Sequence, residues 1–297
     1  MTLEGRTRWI ALYVLCLASL MIVLDMTIVN GNQEGWTSGQ TLGLLGGAVA
    51  LLALFLWLES HVRDPLVPLR LFRLRNFSTA SVVGVFWAAA MFAWFFLSSL
   101  YMQLVLGYSP LQIGLAFLPS SLIMAVFSIG LSAKLVMRFG IRLPLATGLS
   151  LAALGLLLFV RLPVDGNFWT DVLPSMILLG FGAGMAFNPV LLAAMGDVDQ
   201  GEAGLASGVV NTAFMMGGAL GLAVLASVAA SRTSVLSDSE DHLTALTGGY
   251  HLAFLVGAIF AVLAVALGST LRTKLDAPAH GHEPAPELAV ADADCGR

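Results

Sequence analysis

The chain has 297 residues, 58% of them hydrophobic and 11% charged, with a formal net charge of −4. A soluble domain carries roughly 25% charged residues, so this composition excludes one and calls for an apolar solvent. The spacing of the basic residues resembles no nucleic-acid footprint, and two cysteines, Cys16 and Cys295, are too few and too far apart for a disulfide framework.

A hydrocarbon core about 30 Å thick needs a helix of about 20 apolar residues. Eight windows of that order follow one another: 9–29, 42–58, 77–100, 111–133, 143–160, 172–193, 205–228 and 250–271. They predict an all-α membrane protein of about eight transmembrane helices. Arg6 and Arg8 ahead of the first window also fit a signal peptide, but the run is long enough to span and no small-residue cleavage site follows it.

With the N-terminus inside, twelve of the fourteen basic residues fall in inside segments, and only Arg161 and Arg232 fall outside. This positive-inside bias places both termini in the cytoplasm and the chain in a plasma or inner membrane.

The first window holds the one intramembrane charge, Asp25, in VLDMTIVN at 23–30. An ionised carboxylate near the bilayer centre costs about 2.5–3.5 kcal/mol, so it faces a wet cavity or a partner and marks a proton, ion or substrate site by default. The alternative is a structural acid bonded to a neighbouring helix end. The segment 31–40, GNQEGWTSGQ, is polar and turn-rich, and 59–76 interleaves arginines with Leu and Phe. The latter reads as an amphipathic strip at the headgroups or as an anchoring loop.

From residue 77 six spans follow with short connections, which suggests two three-helix triplets, 77–160 and 172–271, of the kind seen as inverted repeats in transporters. Between the second and third of these spans, GLSAKLVMRFGIR at 130–142 sets Lys134, Arg138 and Arg142 four residues apart, on one face if helix continues. Such cations clamp carboxylates or helix C-termini at a gating interface, or simply anchor the loop. Gly140 adds a tight turn. Asn188–Pro189 after a glycine-rich run predicts a loosened or broken helix. The pairs Gly43 and Gly47, Gly180 and Gly184, Gly204 and Gly208, and Gly217 and Gly221 have the four-residue spacing of close helix packing.

Residues 231–249 read as a polar, acidic outer loop. Other intramembrane polar groups are few, among them Gln103 and Asn211. A wall of Phe86, Trp87, Met91, Phe92, Trp94, Phe95, Phe96, Met102, Met215 and Met216 suits a greasy substrate or faces lipid. No phosphate-cradling loop, HExxH or GxSxG appears, so neither an enzyme nor a primary pump has a supporting motif and no catalytic or metal-binding residue is assigned. The tail from 275, with His280 and His282, is rich in Pro, Ala and acid and predicts disorder.

VLDMTIVN at 23–30, PLVPLRLFRLRNF at 65–77, YMQLVLGYSPLQIGLAFLP at 101–119 and GEAGLASGVVNTAFMMGGALGLAV at 201–224 resemble signatures of the major facilitator superfamily, in its fourteen-helix drug/proton antiporter branch. The stretch 130–142 is similar to the second copy of that superfamily's loop motif, without its usual acidic residue. The resemblance implies one complete six-helix half at 77–274, a first-helix remnant at 1–30, and a linker helix with its flanking loops at 31–76, about six helices being absent after Asn30. It further implies proton-coupled efflux of a small amphipathic compound, with the proton gradient as energy source and no cofactor. Asp25, Thr27, Asn30 and Asn211 are then the coupling or substrate residues, and Gly130, Lys134, Arg138, Gly140 and Arg142 the gating loop. The alternative is a truncated chain that does not transport, or a half that needs self-association or a partner half.

Overall fold

A computed structural model describes residues 69–271 together with nine positions between 39 and 57. The segment holding Asp25, Thr27 and Asn30 lies outside the described residues, as does the tail with His280 and His282. At the nine positions, which fall on the expected linker span, the backbone is helical.

The rest is helix throughout, with no strand among the described residues. A 3-10 turn, Leu69–Arg73, leads into α1 (Arg75–Leu100), which widens into a π-helical turn, Tyr101–Val105. After Gly107, whose φ is +70, comes α2 (Pro110–Val126). Its start is specified locally: Pro110 sits in the first turn, the Ser109 hydroxyl accepts from the Gln112 amide, and the Ser109 amide donates to Gln112 Oε1 at 2.9 Å. A second π turn, Phe127–Leu131, joins α2 to α3 (Ser132–Phe139) as one rod.

Beyond Gly140 lies α4 (Arg142–Phe159). A third π turn, Phe168–Val172, capped by Asn167 Oδ1 on the Trp169 amide at 2.9 Å, opens α5 (Leu173–Met195). Then follow a 3-10 turn at Gln200–Glu202, α6 (Ala203–Leu236) and α7 (His242–Gly268). Six of these helical rods are long and apolar enough to cross a membrane, matching the six expected spans after residue 77.

One expectation is corrected and another is narrowed. The polar stretch 231–249 is mostly helix, with α6 running to Leu236 and α7 starting at His242. Its hydroxyls turn back onto the backbone, Ser237 Oγ donating to the Thr233 carbonyl and Thr247 Oγ1 to Leu243, both at 2.8 Å, so polar residues cap helix ends here instead of forming a loop. At Asn188–Pro189, expected to loosen or break the helix, α5 runs on unbroken, and the freed carbonyl is met by a neighbour. Pro189 offers no N–H to the Met185 carbonyl, and that carbonyl instead accepts from Ser132 Oγ of α3 at 3.5 Å. In return Asn188 Nδ2 donates to the Ser128 carbonyl, inside the π turn, at 2.8 Å.

Helix packing repeats between the triplets. α1 lies against α5, α6 and α7, while α5 lies against α1, α2 and α4, and α4 lies against α7. Exchanging α1 with α5, α2 with α6 and α4 with α7 returns these pairs, as in two repeats, but α6 also packs along α7 whereas α2 has no matching contact with α4, so the repeat is incomplete. Glycines set the closest approaches. A Cβ on Gly182 would sit 2.6 Å from the Gly148 carbonyl oxygen, and one on Gly180 would sit 2.7 Å from that of Ser120. The core is apolar, with Phe77, Trp94, Leu149, Phe159, Leu179 and Phe254 each at 1% exposure or less.

The middle rod of each triplet is the least covered. Buried residues make up 17% of the apolar window of Pro110–Phe139 and 28% of that of Gln200–Leu236, against 67% for Arg75–Val105. Exposed apolar side chains such as Leu122, Val126 and Ile129 need hydrocarbon or another protein surface there.

Candidate functional site

The expected aromatic wall separates into a buried and an exposed layer. Trp87, Met91 and Trp94 recur at helical spacing on α1 and are buried to 5% exposure or less. In front of them stand rings from three other helices. Trp87 lies 5.8 Å from Phe187 of α5 and 5.3 Å from Phe214 of α6, and Trp94 lies 5.9 Å from Phe117 of α2. Phe95 stacks on Phe117 at 5.3 Å, and Phe92 meets Phe214 at 6.1 Å. Gly218 makes room for this, since a Cβ there would sit 2.7 Å from Phe92 Cδ2.

Phe187 is 46% exposed, so this layer forms a face as well as a core. The indole Nε1 groups of Trp87 and Trp94 have no hydrogen-bond partner among the described residues. Leaving such a buried donor unmet costs about 1–3 kcal/mol. Sequence reading missed Phe117, Phe187 and Phe214. The signals for two of them are position: Phe214 lies one helical turn beyond Asn211, and Phe187 adjoins Asn188.

Asn211 is exposed on α6 and has no partner among the described residues. It shares its face with Gly204, Gly208 and Met215, all exposed, and a Cβ on either glycine would touch nothing within 4 Å. The pair at Gly217 and Gly221 faces the other way: added Cβ atoms would meet Val85 Cα at 2.7 Å and Ala89 Cβ at 2.1 Å. One GxxxG pair of α6 therefore closes the bundle, and the other is left open.

The basic loop is not one continuous face. Gly130 lies in the π turn, and Lys134 and Arg138 project from α3, exposed, with the Arg138 guanidinium 5.4 Å from the centre of the Phe139 ring. Helix then stops, because Gly140 takes φ +76 and reverses the chain. Arg142 therefore opens α4 instead of continuing the row, and its Nε donates to the Leu271 carbonyl just past the end of α7. At the same basic end Arg70 pairs with Glu202 and lies 3.9 Å from Asp199, tying the start of α1 to the start of α6. The hydrogen bond to Glu202, then its charge, hold the Arg70 pKa above its ordinary value. The opposite end is fastened by Tyr101, whose hydroxyl donates to the Pro163 carbonyl at 2.6 Å, and by His251, whose Nε2 lies 2.7 Å from the Leu162 carbonyl.

Six rods long and apolar enough to span a membrane, arranged as two triplets with an aromatic face across α1, α5 and α6, have the build of a secondary-transporter half. The family model of the major facilitator superfamily matches residues 9–222, and the chain belongs to that superfamily. Its similar relatives carry the names of drug exporters and place it in the drug-efflux branch. A multidrug resistance protein of Mycobacterium tuberculosis is 35% identical over 74% of this chain and 40% of its own length. A cephamycin export protein of Amycolatopsis lactamdurans is 34% identical over 83% of the chain and 50% of its own. A puromycin resistance protein of Streptomyces alboniger is 34% identical over 80% and 48%. The chain thus spans half or less of the length of these curated relatives.

Proposed function

We propose that this chain acts in proton-coupled efflux of small amphipathic compounds from the cytoplasm, its basic end facing inward. The observation that carries the reading is the half-exposed aromatic face, bordered by the unpartnered Asn211, in a chain whose relatives are named for antibiotic resistance and export. Rings and apolar walls bind an amphipathic body with little shape demand, while the exposed Asn211 amide offers hydrogen bonds. Asp25 carries the coupled proton, with Thr27, Asn30 and Asn211 around the substrate. Arg142 and its neighbours Lys134 and Arg138 hold the inner gate, and Gly130 and Gly140 supply its turns. Protons moving down their gradient drive the cycle, and no cofactor takes part.

In everted vesicles holding this chain, an imposed proton gradient should drive accumulation of the dye Hoechst 33342, and Asp25→Asn should abolish it. Dye movement equal to that of empty vesicles, with and without the gradient, would sink autonomous export.

The exposed rods α2 and α6 favour a second reading, in which a second copy or a separate half completes the transporter. Alternating access needs two halves around one site. Cross-linking between cysteines placed at Gly204 and Gly208 in a Cys16→Ala, Cys295→Ala background should then give a dimer. A monomer in bilayers at every protein density would exclude self-association.

A further inference from the structure

At the end of the bundle opposite the basic residues, α1, α6 and α7 line an open pocket of about 400 Å³. Leu97 and Leu100 form its apolar wall, Thr233, Ser234 and Ser237 line it from α6, and Tyr250 lines it from α7. Tyr250 is 4% exposed, and its hydroxyl has no hydrogen-bond partner among the described residues. Tyr101, by contrast, spends its hydroxyl on a backbone carbonyl at 2.6 Å. Gly249 builds the wall between α6 and α7: a Cβ there would sit 2.1 Å from Thr233 Oγ1, so only glycine brings that hydroxyl so close to α7.

We infer that this cavity binds a small neutral amphiphile, its apolar body on Leu97 and Leu100 and a carbonyl or hydroxyl oxygen accepting from the Tyr250 phenol. The volume falls at the small end of the roughly 300–1,000 Å³ of ligand pockets. The polar lining consists of hydroxyls, and no Asp, Glu, Lys, Arg or His contributes to it. A charged ligand would lie uncompensated in this apolar recess, whereas a neutral acceptor meets the unpaired phenol. The cavity also extends the face that carries Asn211, because Met215, Leu222, Ala226, Ala229 and Thr233 follow Asn211 at helical spacing along α6. This binding is an equilibrium property and does not rest on transport by the chain.

The test is photolabelling of the full chain in lipid nanodiscs with 4-hydroxybenzophenone, a neutral ketone bearing a hydroxyl, read by peptide mass spectrometry. Adducts should concentrate in 97–100 and 226–237. Tyr250→Phe, which removes one oxygen and leaves the packing, should cut them about fivefold, the loss of one buried hydrogen bond. Ala230→Trp should fill the cavity and remove them. Adducts spread evenly over exposed positions such as Ile129, unchanged in both variants, would overturn the proposal. So would a lipid that co-purifies with the wild-type chain, is lost from Ala230→Trp and keeps the probe out.

Discussion

At Gly221 the distance between two helices depends on one methyl group. A Cβ there would lie 2.1 Å from that of Ala89, against the 3.5–4.0 Å at which carbon atoms pack, and at Gly217 the obstacle is the Val85 backbone itself. Gly204 and Gly208 have the same spacing on the same helix and meet nothing. Overpacking a close contact costs about 1–3 kcal/mol, and a backbone cannot rotate out of the way. Gly221→Leu should therefore destabilise the bundle by about 3 kcal/mol or more, whereas Gly204→Leu should leave monomer stability within about 0.5 kcal/mol. Unfolding in mixed SDS and mild-detergent micelles measures both. The four-residue spacing was legible in the sequence. Which pair closes the bundle was not, because that depends on which face of α6 meets α1.

At the scale of elements, the joint between the π turn of α2–α3 and the proline of α5 holds two irregularities that answer each other. Ser132 takes the carbonyl that Pro189 leaves open, and Asn188 takes a carbonyl inside the π turn. Each interhelical bond of this kind contributes about 0.6 kcal/mol, at most about 1.7. Asn188→Ala and Ser132→Ala should each lower stability by about that much. In a Pro189→Ala background, where the helix supplies its own amide to Met185, Ser132→Ala should become silent. An unchanged penalty in that background would show that Ser132 acts through packing alone.

The sequence marks Asn188–Pro189 as a loosened or broken helix, and what decides between the two is Ser132, 53 residues before the Met185 carbonyl it meets and on another helix. The stretch 231–249 reads as loop for a related reason: Ser and Thr favour loops, yet the hydroxyls of Ser237 and Thr247 bond back one turn along their own helices. The six spans themselves were plain, since apolar length is a property of the segment alone. The aromatic site was half legible. Trp87, Phe92 and Phe95 share a short run of α1, whereas Phe117, Phe187 and Phe214 join them only through packing of α2, α5 and α6.

For the molecule as a whole, α2 and α6 are the bare helices, α2 packing chiefly on α5 and α6 on α1 and α7. The Arg70 pair with Glu202 at the start of α6 is solvated and adds little to monomer stability at ordinary salt. Its expected role is to orient the first turns of α1 and α6 toward each other. Arg70→Gln should leave the melting temperature in high salt unchanged and shift it slightly only at low ionic strength.

The length of α6 bears on the opposite end. Its 34 residues reach about 51 Å, some 20 Å more than the hydrocarbon layer. Its final turns, which line the cavity, carry Arg232, Thr233 and Ser234 and end at Ser237, the composition of the boundary between acyl chains and headgroups. Amphiphiles dissolve preferentially in that layer, so the pool that fills the cavity is the membrane-partitioned one. Occupancy at fixed total probe should then fall as more lipid is added per protein, by dilution within the membrane, and titrations should superimpose when plotted against mole fraction of probe in lipid instead of aqueous concentration.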